Sequence, residues 1–281
     1  MILKKKVKLS CIVLTWNSIS YIESCLASID QLKSIVDLEL LVVDNGSTDG
    51  TIDKLVDLQT SASYNVEIIS LSKNLGTTVT RNMAIKKSNG DVLAFIDSDV
   101  KFDKKGFLEM LDYLNDNEEI GILAPMIRYP DGSVQQSCKK FPTLDVKLLK
   151  LIDIFTFFNS SNRDYYVDFP FQTPHMVDTA ISAFWLIDKK NVDLVGCFDE
   201  NIFYSPEDVD YSLRVWLAGK KICFYPDFEI YHYAQQITHK FPFKIISLTH
   251  LRDLFYYFIK HKYFFSSKKI NNKIKFNKTA P

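Results

Sequence analysis

Two hydrophobic patterns alternate along the first half of the chain. Short runs rich in β-branched residues predict buried strands, and apolar residues three or four positions apart predict amphipathic helices. The predicted strands are 8–15, 38–43, 66–70 and 92–96. The predicted helices are 20–31, a segment carrying Ile52, Leu55 and Val56, 77–88 and 107–115. This alternation indicates βαβ units, and therefore an α/β fold with a Rossmann-like, mostly parallel central sheet flanked by helices.

The second half of the chain is less regular. Strands are predicted at 121–129, 179–187, 221–225 and 229–233, and helices at 191–195 and 206–218. The stretch 141–174 mixes aromatic and polar residues without a clear period, and a long loop of this kind is more often functional than idle. All these elements are predicted to form one domain that spans 1–240.

The C-terminal segment 241–265 predicts an amphipathic aromatic helix, because its apolar residues fall at helical spacing. Residues 266–281 contain five lysines and no acid, and they predict a basic, disordered tail. Basic residues beside an aromatic amphipathic helix are typical of contact with an anionic membrane surface. Packing of the helix on the domain is an equally good interpretation, because periodicity does not separate the two.

Composition and charge narrow the classes of protein. The 281 residues are 47% hydrophobic and 24% charged, which excludes a wholly disordered chain. The 34 basic and 34 acidic residues balance, and this argues against a nucleic-acid partner. The sequence lacks a membrane-spanning run, a secretory signal pattern and a CxxC motif, so we expect a cytoplasmic protein with reduced thiols. A peripheral position on the inner face of the membrane is compatible with this expectation.

Polar residues follow three of the predicted strands, after Leu14, Val43 and Ile96. Ligands bind beyond the carboxyl ends of parallel strands, so we expect these loops to converge on one crevice. After the fourth strand come Asp97 and Asp99, two carboxylates of the kind that bind hard divalent cations beside phosphates. A departing nucleotide diphosphate needs such charge neutralisation. A solvated turn is the alternative, because this pattern alone is common.

Two further segments suggest nucleotide contacts. Asp44 begins a tight polar loop, where a carboxylate can accept a hydrogen bond from a uracil or thymine imide. Thr48 or Asp49 is expected to cap the following helix. Arg81 has a planar donor fork suited to ribose or phosphate, but the helical pattern alone favours a surface arginine.

Acidic residues also cluster at the start of the helix 206–218. The helix dipole explains two of Glu207, Asp208 and Asp210, and the third suggests a general base. Asp210 and Arg214, four residues apart, are expected to form a structural pair. His232 ends a predicted strand and needs a partner to bind a metal, for which Asp99 is the candidate.

In this order, the motifs resemble the family 2 glycosyltransferases with the GT-A fold, over about residues 8–235. A looser likeness of the late part points to the rhamnosyltransferase-type branch. The matching elements are Val13-Leu14-Thr15-Trp16-Asn17, Val42 through Thr51, Asn74-Leu75-Gly76, Arg81-Asn82, Gly90-Asp91, Phe95 through Asp99, Gly196 through Glu200, Glu207 through Asp210, Arg214, Gly219 and Tyr231-His232.

The resemblance implies an inverting transfer of a sugar from a UDP- or dTDP-sugar to a saccharide or lipid-linked saccharide, in polysaccharide or cell-surface glycan synthesis. It implies that Asp99 and His232 bind Mg²⁺ or Mn²⁺. Asp208 would be the base that deprotonates the acceptor, and Glu207 would orient it. Donor-binding residues would be Thr15, Asn17, Asp44, Asn74, Arg81, Asp97 and Asp99. Phe184 and Trp185 would form either an apolar floor for a sugar ring or part of the core.

Two departures from the family pattern affect these roles. Residues 77–80 are Thr-Thr-Val-Thr where the family often has small or aromatic residues, and this leaves the donor open. The residues after His232 lack the usual small-residue and Ser pattern, which weakens His232 as a ligand.

Two alternative functions stay open. A nucleotidyltransferase also uses a parallel sheet and acidic metal ligands, but the turn after the first strand lacks a glycine-rich, basic phosphate loop. A non-catalytic nucleotide-sugar-binding protein would bind donor without turnover.

Overall fold

Four parallel strands form the first part of the central sheet in the computed structural model, which describes residues 6–147, 149, 162–234 and 245–279. β1 (Lys8–Thr15) lies between β2 (Asp37–Asp44) and β4 (Val92–Asp97), and β3 (Asn65–Ser70) pairs with β2. All four strands lie within one residue of their predicted bounds. Their carboxyl ends therefore meet at one edge, as the sequence predicts.

The second part of the sheet contains antiparallel pairs beside the expected parallel ones. The chain returns from residue 183 at the carboxyl end of β4, where the Asp97 N–H donates to the Ala183 carbonyl. The next strand, β10, therefore runs antiparallel to β4. The remaining strands are β5 (Val100–Phe102), β6 (Ile120–Arg128), β7 (Cys138–Lys139), β8 (His175–Met176), β9 (Thr179–Ala180), β10 (Phe184–Asp188) and β11 (Lys221–His232).

Within the described residues, the sheet order is β3-β2-β1-β4-β10-β6-β11-β5, with β8 also on β11, while β7 and β9 pair separately. The predicted strand 179–187 is two strands, β9 and β10. The predicted strands 221–225 and 229–233 are one, β11, with an irregularity between Tyr225 and Glu229. Pro226 lies there, and proline has no N–H for the ladder.

Helices cover both faces of the sheet. They are α1 (Ile22–Asp30), α2 (Thr51–Ser61), α3 (Thr77–Lys87), α4 (Phe107–Asp116), α5 (Lys189–Val195), α6 (Glu207–Leu217), α7 (Ile245–His261) and α8 (Lys268–Thr279). Cys11 and Val13 of β1 point to the core under α1, α2 and α4, and Ile12 points to the core under α3, α5, α6, α7 and α8. This alternation is the period of a strand buried on both faces.

Two expectations about apolar and basic segments need correction. Phe184 and Trp185 are fully buried, Phe184 among Phe102, Phe107 and Phe228, so they are core residues and not a sugar platform. The segment 266–281, expected to be a loose tail, contains α8. Ile270 and Ile274 of α8 are buried in the core, because residues four apart share one face of a helix.

α7 packs on the domain through Leu254, Tyr257 and Phe258, while Phe255 and Ile259 stay exposed. Packing and an exposed apolar face are therefore both present in this helix. The predicted boundary at 240/241 lies outside the described residues. Among the helices described, none has the length and apolar character needed to cross a membrane.

Candidate active site

The carboxyl ends of β1 and β2 form the first wall of the site. Thr15 and Asp44 are register partners on these strands, and the Thr15 hydroxyl donates to Asp44 Oδ1 over 2.9 Å. The Asp44 carboxylate also accepts the Ser47 N–H and hydroxyl, at 3.0 and 2.5 Å. Asn17, with a φ of +51°, accepts the Thr48 N–H on its side-chain oxygen. These bonds fix the polar loop that begins at Asp44.

Asp49, one residue before the N-cap Gly50, bonds the first residue of α2, whereas Thr48 does not. Its Oδ1 accepts the Thr51 N–H at 3.0 Å and the Thr51 hydroxyl at 2.6 Å. Thr48 instead contacts Asn17.

Asn45 organises the next loop, and sequence reasoning missed this residue. Its amide donates to Asn74 Oδ1 at 2.8 Å, and its side-chain oxygen accepts the Leu75 N–H at 2.7 Å. Asn74 Oδ1 also accepts the Gly76 N–H. Asn74 thus contacts protein groups and shapes the loop at the start of α3. The position of Asn45, directly after Asp44 at the carboxyl end of a strand, was the sequence signal that could have identified it.

Asp97, Asp99 and His232 come together at the end of β4. One ligand atom from each lies within 4.8 Å of the others, and His232 Nε2 lies 3.3 Å from Asp99 Oδ1. β11 brings His232 here because it pairs with β5, where His232 lies opposite Val100. The sequence-predicted ligand pair Asp99 and His232 is therefore adjacent in space.

Gln135 sets the orientation of the His232 ring. His232 Nδ1 lies 3.0 Å from Gln135 Oε1, which only accepts, so Nδ1 carries the proton in this arrangement. Nε2 then faces the carboxylates, and this is the nitrogen with which the neutral ring would bind a metal. No sequence signal marks Gln135, because it lies 97 residues from His232.

The electrostatics of the cluster suit a cation. Burial raises the pKa of Asp97, the neighbouring Asp99 raises it further, and Arg81 opposes both effects. Burial alone would lower the pKa of His232, yet the hydrogen bond and charge of Asp99 raise it above its ordinary value. Carboxylate oxygens and an imidazole nitrogen are ligands that Mg²⁺ or Mn²⁺ accepts. The residues present therefore fit such an ion.

Arg81 lies beneath this cluster and not on the surface. Its side chain is only 4% exposed, and its guanidinium lies 3.1 Å from Asp97 Oδ1 and 3.3 Å from Glu207 Oε1. It also donates to the Ser182 hydroxyl at 2.9 Å. One cation thus joins the end of β4 to the start of α6.

Glu207 and Asp208 occupy the start of α6 but differ in environment. Burial, reinforced by the charge of Asp208, raises the pKa of Glu207 to about 8, against the opposing charge of Arg81. Asp208 is half-buried, and its Oδ1 accepts the N–H of Val209. Glu207 is therefore the buried carboxylate of the pair, and Asp208 is the more accessible one.

Tyr204 is a third residue that the sequence did not identify, after Asn45 and Gln135. Its side chain is 40% exposed, and the charges of Glu207, Asp97, Asp208 and Asp99, together with burial of the hydroxyl, raise its pKa well above the ordinary value. These four carboxylates come from β4, the turn that follows it and α6. Tyr204 therefore lies in the field of the acidic groups of this site.

Asp210 pairs with Arg214 as expected, but it has closer partners on α7. Arg214 Nη1 lies 3.8 Å from its carboxylate, whereas Lys260 Nζ and His261 Nε2 of α7 lie at 2.6 and 2.7 Å. Arg214 donates to the carbonyls of Val195 and Cys197. Asp210 therefore fastens α7 to α6.

The chain is similar to known glycosyltransferases. The family model described as "Glycosyl transferase family 2" matches residues 10–192. An N-acetylglucosaminyl-diphospho-decaprenol L-rhamnosyltransferase of Mycobacterium tuberculosis is 27% identical over 254 residues, which cover 86% of this chain and 81% of that protein. The dTDP-rhamnosyl transferase RfbF of Shigella flexneri is 26% identical over 196 residues, which cover 69% of this chain and 59% of that protein.

Solved structures show the same architecture. The mannosyltransferase PcManGT of Pyrobaculum calidifontis, in complex with GDP-Man and Mn²⁺, has a TM-score of 0.64 at 15% identity, covering 99% of this chain and 71% of that one. TarS 1-349 of S. aureus has a TM-score of 0.56 at 21% identity, covering 83% of this chain and 62% of that one. The fold is GT-A. Glu207, Asp208 and His232 lie outside the segment that the family model matches.

Proposed function

Because this chain belongs to glycosyl transferase family 2, we propose that it moves a sugar from a UDP- or dTDP-sugar to a saccharide or lipid-linked saccharide, with inversion at the anomeric carbon. Membership makes the chain a glycosyltransferase, and its relatives support transfer from a nucleotide sugar in glycan synthesis. The carrying observation is the cluster of Asp97, Asp99 and His232 at the carboxyl ends of the strands, joined through Arg81 to the start of α6.

Asp99 and His232 are proposed to hold Mg²⁺ or Mn²⁺, with Gln135 orienting the histidine ring. When bound, such an ion neutralises the charge that builds on the departing nucleotide diphosphate. Asp97 is proposed to serve the ribose region, because Arg81 fixes one of its oxygens. The Mn²⁺ in the PcManGT complex supports a divalent cation in this fold.

The loops after β1 and β2 are proposed to bind the nucleoside. Thr15, Asn17 and Asp44 surround the base, and the bonds among them hold the Asp44 loop in shape. Asn74 and Arg81 act on the nucleotide indirectly, Asn74 by shaping the loop before α3 and Arg81 by fixing Asp97. A site preorganised in this way loses little entropy when the donor binds.

Asp208 is proposed to take the proton of the acceptor hydroxyl as the hydroxyl oxygen attacks the anomeric carbon. The bond from that carbon to the diphosphate oxygen breaks in the same displacement, so one base suffices and no covalent nucleophile is needed. Glu207 orients this end of the site, because its Oε1 accepts from Arg81 and Ser182. Its raised pKa favours the protonated form, which does not compete with Asp208 as a base.

The test is a panel of UDP-, dTDP- and GDP-sugars with Mn²⁺ or Mg²⁺, in which binding and slow hydrolysis are measured separately. We expect Asp99→Asn to lose metal-dependent donor binding. We expect Asp208→Asn to bind donor normally but to turn over at least about 100-fold more slowly, the usual contribution of a general base. Asp57→Asn, on the exposed face of α2, is the matched control.

Two results would contradict the proposal. If the wild-type protein binds no nucleotide sugar, the roles of Thr15, Asp44 and Asp97 are wrong. If one donor binds and no acceptor preparation or water gives turnover, the chain is a nucleotide-sugar-binding protein.

The acceptor side is proposed to lie near an anionic membrane surface. Phe255 and Ile259 are exposed on one side of α7, and Lys262, Phe264 and Phe265 are exposed just after its end. We call these five residues the outer stripe. Residues 254–281 contain seven lysines and no acidic residue. Exposed aromatic residues beside a lysine-rich segment suit the interface of an anionic bilayer. Such a surface would bring the enzyme to a lipid-linked acceptor.

A further inference from the structure

The segment 199–206 leads directly into Glu207 and Asp208, and two helices hold it from opposite sides. The Phe203 N–H donates to Asp253 Oδ2 of α7 at 2.7 Å. The Phe203 carbonyl accepts the Thr77 N–H, the first of α3, at 2.6 Å. Both polar groups of this one residue's backbone are therefore bound to other elements.

The contact with α3 depends on close approach. The Thr78 hydroxyl donates to the Ile202 carbonyl at 2.6 Å. Gly76 has a φ of +88°, and a Cβ on it would lie 2.4 Å from the Phe203 carbonyl oxygen. Glycine is required here both by the backbone conformation and by the neighbouring segment. Through Asn74 and Asn45, this contact reaches the proposed nucleotide loops.

The contact with α7 is built from buried polar groups. Asp253 is fully buried, and its other oxygen, Oδ1, accepts from the Arg252 guanidinium at 2.6 and 2.8 Å. His250 Nδ1 lies 3.1 Å from the Ser205 carbonyl and donates to it. At the other end of the segment, Asp199 accepts from Lys260 Nζ at 2.7 Å and from the Tyr256 hydroxyl at 2.9 Å. All four partners belong to α7, beyond the part of the chain that the family model matches.

We propose that α7 positions Asp208 for transfer and that Asp253 is the positioning residue, because it fixes the backbone of Phe203, five residues before the base. This proposal rests on the proposed role of Asp208. A carboxylate that accepts a backbone N–H makes a charge-assisted bond, and its loss leaves that N–H unsatisfied in a buried place. A catalytic group displaced by about 1 Å can lose about 100-fold in rate.

The test compares Asp253→Ala with Asp253→Asn, which keeps a side-chain oxygen for the Phe203 N–H. We expect Asp253→Ala to lower kcat by at least about tenfold while donor affinity with Mn²⁺ stays within about twofold. Asp253→Asn should recover most of the rate. Asp188→Ala is the matched control, because Asp188 also accepts a backbone N–H, that of Lys190 at the start of α5. It should reduce stability without slowing transfer.

A double variant separates positioning from general damage. In an Asp208→Asn background, Asp253→Ala should add little further loss, because the group that it positions is already gone. If the double variant loses activity by the product of the two single-variant factors, the proposal is overturned. A loss of donor affinity in Asp253→Ala as large as its loss of kcat would also overturn it.

Hydrogen exchange tests the contact independently of any turnover. Asp253→Ala should speed exchange at the amides of 202–210 and leave exchange in α2 unchanged. The control Asp188→Ala should leave exchange at 202–210 unchanged. Unchanged exchange at 202–210 would overturn the positioning role, even if transfer itself were confirmed. Absence of turnover in the wild-type protein, with the exchange effect present, would instead count against the proposed function.

Discussion

The guanidinium of Arg81 contacts two carboxylates of the site at once, Asp97 and Glu207. A buried cation is tolerated because paired acids and hydrogen bonds compensate for its lost hydration. Its partners lie 16 and 126 residues away along the chain, so the local helical pattern predicts a surface arginine. Only the tertiary arrangement identifies Arg81 as the link between the acidic cluster at the end of β4 and the start of α6.

Glu207 makes stability depend on pH in a predictable direction. Its raised pKa means that the folded protein keeps a proton that the unfolded chain releases above its ordinary value of 4.5. The free energy of unfolding should therefore fall as the pH rises from about 5 to about 8, with each unit of raised pKa worth about 1.4 kcal/mol. Glu207→Gln keeps an oxygen for Arg81 and Ser182 but does not titrate.

Urea unfolding at pH 5 and pH 7.5, without metal, measures this effect. We expect the wild-type protein to lose more stability than Glu207→Gln over this interval, by at least about 1.4 kcal/mol. Asp97 titrates in both proteins, so its contribution largely cancels. Glu109→Gln, at an exposed position on α4, should behave like the wild type. Parallel pH profiles for wild type and Glu207→Gln would contradict the burial of a protonated Glu207.

Among the elements, α8 differs most from what its composition suggests. Lysines dominate its sequence, so average polarity predicts a loose tail, whereas the buried pair Ile270 and Ile274 anchors the helix. Ile270→Ala should release α8, because removal of a buried isoleucine side chain costs about 2–5 kcal/mol. Brief trypsin digestion under native conditions reports this release, since α8 offers several cleavage sites.

We expect slow cleavage within 268–275 in the wild-type protein and at least about tenfold faster cleavage in Ile270→Ala. Asn271→Ala, on the exposed side of α8, should match the wild type. If the wild-type segment is cut as fast as a free peptide of the same sequence, the tail is loose as composition suggests.

Elements of the first half could be predicted closely because each strand is a short apolar run and each helix has its own period. β1 to β4 therefore appear where the pattern predicts them, and so does the convergence of Thr15, Asp44 and Asp97. The direction of β10 could not be predicted, because a buried strand has the same pattern in either direction. Asn45, Gln135 and Tyr204 also escaped prediction, since their roles depend on partners distant in sequence.

At the scale of the whole molecule, α7 has two opposite roles on two faces. Its inner face holds the segment before Asp208 through Asp253, His250 and Lys260. Its outer face carries Phe255 and Ile259, which are 48% and 63% exposed. A surface bound to the outer stripe would therefore lie on the same helix that holds the proposed base. The proposed membrane contact and the segment before Asp208 are therefore connected through one helix.

Flotation of the full chain with vesicles tests the membrane contact. We expect the wild-type protein to float with vesicles of phosphatidylcholine and phosphatidylglycerol at low salt, and to bind neutral phosphatidylcholine vesicles and high-salt samples less well. Phe255→Ser with Ile259→Ser should weaken binding at least about tenfold, because burial of each large apolar side chain contributes about 1.5–3 kcal/mol. Val56→Ser with Leu108→Ser removes two apolar side chains of similar exposure, 48% and 42%, and should have no effect.

Equal flotation of both double variants, or none of the wild type, would overturn the membrane proposal. Loss of a dimer in Phe255→Ser with Ile259→Ser, without any flotation of the wild type, would assign the outer stripe to a second copy of the chain.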